Sequence, residues 1–167
     1  MQFIDPKFRK NEGRYVVQCA VATLALVVVL AVLDSISDAA IVGALGASSF
    51  IAFTMPHKHV SEARYFVGGY SVGVISGVAC YYASVLVGLS STAVLGASSS
   101  VVFGAIAVGL AIFIMVVANL EHPPAAGVAL GLVLNQCDAL AIVVIIVGII
   151  ALSIVKTMMK PLLIDLL

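Results

Sequence analysis

The sequence predicts an all-α membrane protein, a bundle of about six transmembrane segments arranged as a 3+3 inverted repeat. Three observations carry this reading. The chain of 167 residues is 63% hydrophobic and 10% charged, with a mean hydropathy of +1.24. Soluble domains carry about a quarter charged residues. Its apolar runs are separated by short polar or proline-containing breaks. Each half of the chain also holds a short, small-residue segment in its middle position. The length accommodates one bundle and no separate soluble domain. A net charge of +0 offers nothing to nucleic acid.

Taken in order, residues 1–14 are polar and basic with Phe3 and Phe8, the composition of an interfacial N-terminal arm. The first span, 15–33, is too long for a signal-peptide core and is read as retained. It ends at Asp34, Ser35, Ile36, Ser37 and Asp38, a run with helix-capping chemistry. The second segment, 39–54, is short and interrupted by Gly43 and by Gly46-Ala47-Ser48-Ser49. A polar loop, 55–64, leads to the third span, 65–89, with Gly69, Gly73 and Gly77 on one face. Such a face permits close helix packing. The fourth segment covers 92–120, its membrane-crossing part starting near residue 101.

The fifth segment opens at Glu121-His122-Pro123-Pro124-Ala125. Tandem prolines cannot sit inside a helix but are tolerated in its first turn. A helix therefore starts at Pro123 or Pro124, with unpaired amides expected to point back toward His122. Its ten apolar residues, 125–134, extend about 15 Å, half the hydrocarbon thickness, so it spans in part or re-enters. The sixth segment, 139–155, is almost purely aliphatic. The domain plan is thus an arm at 1–14, a transmembrane domain at 15–155 with halves 15–89 and 92–155, and a tail at 156–167.

Charge sets the expected orientation. With a cytoplasmic N-terminus, Lys7, Arg9, Lys10, Arg14, Lys58, Arg64, Lys156 and Lys160, all 8 bases, fall inside. The outer turns hold Asp34, Asp38 and Asp138 and no base, as the positive-inside rule requires. A four-span arrangement would put the 55–64 loop outside and breaks that rule.

Two short, Gly- or Pro-broken segments at corresponding places in inverted halves point to a transporter's central site. A helix N-terminus suits a small anion through its amides and partial positive charge. Gly46 and Ala47 let the backbone approach closely, and Ser48 and Ser49 supply hydroxyl donors. The competing role for these serines is packing, bonded to their own i−4 carbonyls. The acids and bases lie at segment ends or in tails, so dipoles and hydroxyls would hold an anion, in a channel as readily as in a carrier. His122, beside Glu121, is the group near the core that titrates near neutral pH. Gating or proton coupling and helix capping both suit it. Leu95-Gly96-Ala97-Ser98-Ser99-Ser100 repeats the small-serine pattern and suits packing or an outer vestibule.

Other chemistries find little footing. Cys19, Cys80 and Cys137 lack metal-ligand spacing and read as free thiols. His57 and His59, two apart in a loop, make a weak metal site with His122. No metal or cofactor is expected. No nucleophile–base set or phosphate-binding loop suggests an enzyme.

His122-Pro123-Pro124 continued by Ala125, Gly46-Ala47-Ser48-Ser49 followed by Pro56, and Arg64 with Gly68-Gly69 form a recognisable set. At these residues the chain resembles the HPP family of integral membrane proteins, over roughly residues 15–155. Ala44-Leu45 stand where that family usually has a proline, and Tyr70 where it usually has a histidine. The resemblance implies small-anion transport, since plant and cyanobacterial members are associated with nitrite. The expected function is a transporter or channel for a small inorganic anion, nitrite foremost, in a bacterial inner membrane with both termini cytoplasmic. Expected ligands are Gly46, Ala47, Ser48, Ser49, His122, Pro123, Pro124 and Ala125, with the lipid bilayer and a homo-oligomer as partners. The alternative is a membrane structural or partner-binding protein whose glycine faces dock another subunit.

Overall fold

The computed structural model describes residues 6–32, 39–88 and 99–167. The capping run 34–38 and the segment 95–98 lie outside them. Six α-helices account for most of the described chain: α1 (Pro6–Val32), α2 (Ala39–Thr54), α3 (Ala63–Gly88), α4 (Ser99–Ala118), α5 (Pro123–Leu134) and α6 (Ala139–Met159). One-turn 3-10 helices at His59–Ser61 and Lys160–Leu162 complete it. Helices α3, α4 and α6 are long and apolar enough to cross a membrane, whereas α2 and α5 are apolar but shorter.

The described part of the arm, residues 6–14, is helical and forms the beginning of α1, which kinks where Asn11 leaves helical geometry (φ −137°, ψ 29°). Helix α2 differs from expectation. It runs unbroken through Gly43 and Gly46, so the expected interruption is absent. A Cβ at either glycine would meet nothing within 4 Å, so neither serves a close approach. One glycine alone costs a helix only about 1 kcal/mol relative to alanine, too little to break one packed on both sides.

Helix α5 sits at the centre, packed on α2, α3 and α4. The glycine face of α3 makes that position accessible. A Cβ at Gly69 would meet the His122 side chain and the Leu120 carbonyl. One at Gly73 would collide with the Ala125 carbonyl, and one at Gly77 would lie 2.9 Å from that of Ala129. The paired numbers rise together, so α3 and α5 run parallel with their backbones in contact. On the other side, α4 offers the buried stripe Gly104, Ala107, Ala111 and Met115. Its remaining faces carry exposed Ile106, Phe113, Val116 and Val117, a surface suited to lipid.

The helix pairs that pack together map onto themselves when α1, α2 and α3 are exchanged for α4, α5 and α6. The α1–α2, α2–α6 and α1–α6 contacts become α4–α5, α5–α3 and α4–α3, while α2–α5 and α3–α6 map to themselves. That is the packing of a 3+3 repeat. The helix ends are closed by backbone motifs. Asn119 (φ 53°) and Gln136 (φ 65°) take left-handed conformations after α4 and α5. The next amides, of Leu120 and Cys137, return to the Met115 and Leu132 carbonyls at 2.9 and 3.0 Å.

The last residues form a strap. Lys156 is buried in the final turns of α6 and donates from Nζ to the Ser61 carbonyl at 2.7 Å. Beyond the 3-10 turn, the Leu166 amide donates to the Thr54 carbonyl at 2.8 Å, and the Tyr15 hydroxyl to the Leu166 carbonyl at 3.0 Å. The buried amide of Gln18 donates to the carbonyls of Phe53 and Ile164 and accepts from the Ile164 N–H. The strap thereby ties the start of α1 to the end of α2.

The α3–α5 contact sets a test. Gly73→Leu forces a side chain into the Ala125 carbonyl, and overpacking of this kind costs about 3 kcal/mol or more where backbone must move. The expected outcome is loss of folded protein in detergent. Gly109→Leu, where a Cβ would meet nothing within 4 Å, keeps wild-type yield. Equal yields would show that α3 and α5 are not in backbone contact.

Candidate functional site

The tandem prolines dictate the local geometry before α5. Pro123 and Pro124 fill its first two positions, and His122, extended at φ −140° and ψ 90°, is the N-cap residue. The carbonyl of His122 accepts the Ala125 N–H at 2.9 Å. This corrects the expectation of free amides. Two of the first four helix donors are removed by proline, and the third is bonded within the turn. The start of α5 keeps its dipole but has few N–H groups to offer an anion.

The donors come from side chains. His122 is 1% exposed, held edge-on by Phe66 with ring centroids 4.7 Å apart and tilted against Tyr70 at 5.4 Å. Its Nε2 lies 2.8 Å from Ser48 Oγ, and the same Oγ lies 2.9 Å from the Tyr70 hydroxyl. Ser48 and Tyr70 are both 0% exposed. A linear Tyr70–Ser48–His122 chain thus joins α3, α2 and the start of α5 in the core.

This chain has two polarities. If Tyr70 donates to Ser48 and Ser48 to Nε2, then Nδ1 carries the proton and becomes a buried donor. In the reverse sense Nε2 donates and Nδ1 becomes an acceptor. In either case Nδ1 has no partner, and the buried hydroxyls of Ser49 and Ser76 also lack one. Buried polar atoms are nearly always satisfied by protein or bound solvent, so each of these three atoms is a place where water or a ligand could complete the bonding. An open cleft of about 340 Å³ between α4 and the start of α5 includes His122, Pro123, Met115 and Glu121 in its walls.

The residues singled out from sequence separate. Ser48 and His122, 74 positions apart, are brought together. Ala125 is buried against Gly73 and acts in packing. Gly46 is partly buried, while Ala47, Pro123 and Glu121 are exposed, and Ser49 turns to a different face of α2. Tyr70 lies about 10 Å along α3 from its first residue, and α3 is about 39 Å long. The cluster therefore stands about a quarter of the way along α3 from the 55–62 loop. The other histidines are elsewhere: His57 bonds the strap, its Nε2 lying 3.0 Å from the Leu163 carbonyl, and His59 packs on Tyr65. Among the described residues no group of three metal-ligating side chains gathers.

Sequence reasoning missed Tyr70 and Phe66 as members of this cluster. The signal was present, because Phe66, Tyr70 and Gly73 fall at helical spacing on the glycine face. It reads as core until the partner on α2 is known.

Hydrogen-bond coupling in the cluster is measurable. Tyr70→Phe removes one donor and lowers stability by about 1 kcal/mol, whereas Ser48→Ala orphans both neighbours and costs about 2–3 kcal/mol. In unfolding experiments the double variant loses less than the sum, since the two changes share one chain. Strict additivity would show that the three groups do not form one network.

The transmembrane region of the HPP family matches residues 8–163, from the basic arm to the strap. Comparisons with curated proteins and with solved structures gave no match. A match over nearly the whole chain, a span that includes the His122-Pro123-Pro124 turn, places this integral membrane protein in the HPP family.

Proposed function

We propose that the protein is a transporter or channel for a small inorganic anion, with nitrite the favoured substrate, and that Ser48, Tyr70 and His122 form its binding station. The observation that carries this reading is the buried Tyr70–Ser48–His122 chain with an unpartnered ring nitrogen at its end. An anion is an acceptor only. Its arrival favours the polarity in which Nδ1 carries the proton, so binding and the direction of the hydrogen bonds are linked.

Neutral donors suit passage. Among the described residues the cluster's side-chain bonds come from hydroxyl and imidazole groups, and Glu121, the nearest acid in sequence, is exposed. An anion held by dipoles rather than by an ion pair binds weakly enough to leave. The proposed orientation follows the basic residues, with the arm, the 55–62 loop and the strap on the cytoplasmic side of a bacterial plasma membrane.

Nitrite uptake into liposomes holding the purified protein tests the reading. Wild type is expected to exceed protein-free liposomes, and Ser48→Ala to lower uptake about tenfold, the effect of one hydrogen bond of about 1.4 kcal/mol. Ser49→Ala, on another face of α2, leaves it near wild type. His122→Ala, which removes the ring nitrogen proposed to meet the anion, is expected to lower uptake at least as far as Ser48→Ala. No uptake above the protein-free level for nitrite, nitrate or formate would overturn the proposal and favour a structural role.

A further inference from the structure

In a membrane-spanning chain, a groove between helices is filled by lipid tails or by another protein. One groove carries features that choose between them. It lies between the start of α1 and the end of α6, holds about 330 Å³, and is lined by Gly13, Arg14, Val17, Val21, Met159 and Leu162 among others. Val17 and Leu162 are 63% and 74% exposed, so the apolar walls open outward. A Cβ at Gly13 would meet nothing within 4 Å, which leaves the groove open at its end. From Arg14 to Val21 the groove follows α1 for about 10 Å, two helical turns.

Its charge is concentrated at that same end. The Arg14 side chain is exposed, and among the described residues no acid pairs with it. Lys160 stands in the same turn as Met159 and Leu162, and Lys7, Arg9 and Lys10 precede the groove in sequence. Glu12 is the one acid of the α1 sequence. The nearby Asp165 is already engaged, accepting the His57 N–H at 3.0 Å. An apolar slot capped by unpaired base matches an acyl chain joined to an anionic headgroup. A second copy docked symmetrically would instead bring the same four arm bases against these.

We infer that this groove binds one anionic phospholipid, its acyl chain along Val17 and Val21 and its phosphate on Arg14. Occupancy would also brace the strap, because Gln18 on the same stretch of α1 holds Ile164. The inference needs only the membrane-spanning fold and stands whether or not the chain carries anions.

The test uses the full chain in detergent, with phosphatidylglycerol and phosphatidylcholine of identical acyl chains, read by native mass spectrometry and by thermal unfolding. Phosphatidylglycerol is expected to stay bound and to raise the unfolding temperature more than phosphatidylcholine. Arg14→Ala should weaken phosphatidylglycerol binding about fivefold, the share of one base at an anionic surface, and leave phosphatidylcholine unchanged. Arg14→Lys should keep most of the preference. Gly13→Leu, which adds bulk at the open end of the groove, should weaken the binding of both lipids. Equal retention of the two lipids by wild type overturns the inference, and so does an unchanged preference in Arg14→Ala. A dimer cross-linked through Val17 in the presence of phosphatidylglycerol overturns it too. If Arg14→Ala does not fold, the wild-type comparison and Arg14→Lys still decide.

Discussion

The backbone contact between α3 and α5 is the constraint from which the rest follows. In lipid no hydrophobic gain drives two apolar helices together, so close packing and hydrogen bonds must hold them. Gly69, Gly73 and Gly77 remove the side chains that would keep α3 away, and the α5 carbonyls fill the space. This fixes α5 in depth and rotation. His122, at its N-cap, is thereby pressed between Phe66 and Tyr70 and reaches Ser48. A helix as short as α5 could not set that position alone.

The prolines have a second consequence. They begin the helix abruptly, which lets a histidine stand in the core at a helix end. They also strip that end of amides. The site is thus transferred from backbone to side chains, and its chemistry becomes switchable. A hydroxyl–imidazole chain can reverse polarity at little energetic expense, whereas a row of backbone N–H groups cannot.

Much of this was legible in the sequence, for identifiable reasons. The apolar runs, the proline and polar breaks between them and the distribution of charge gave six segments, and the glycine spacing gave the packing face of α3. The pairing of Ser48 with His122 was legible only as a convergence of two unusual segments, because no local pattern encodes a contact across 74 positions. Three features were not. The continuity of α2 depends on neighbours that sequence does not show, which outweigh the weak cost of two glycines. The loss of amides at α5 follows from proline chemistry together with the bond from Ala125 to His122, which only the fold displays. The strap escaped because its ties run largely through the backbones of Leu163, Ile164 and Leu166 and the Asp165 carboxylate, and backbone bonding leaves no mark on residue type.

His122 is the group proposed to meet the anion. Nitrogen NMR of the protein labelled at histidine, in lipid bilayers and with His57 and His59 replaced by Gln, reads that ring alone. Saturable movement of both ring-nitrogen signals on adding nitrite, lost in Ser48→Ala, is the predicted result. Unchanged His122 signals at concentrations where the same preparation transports nitrite would contradict it.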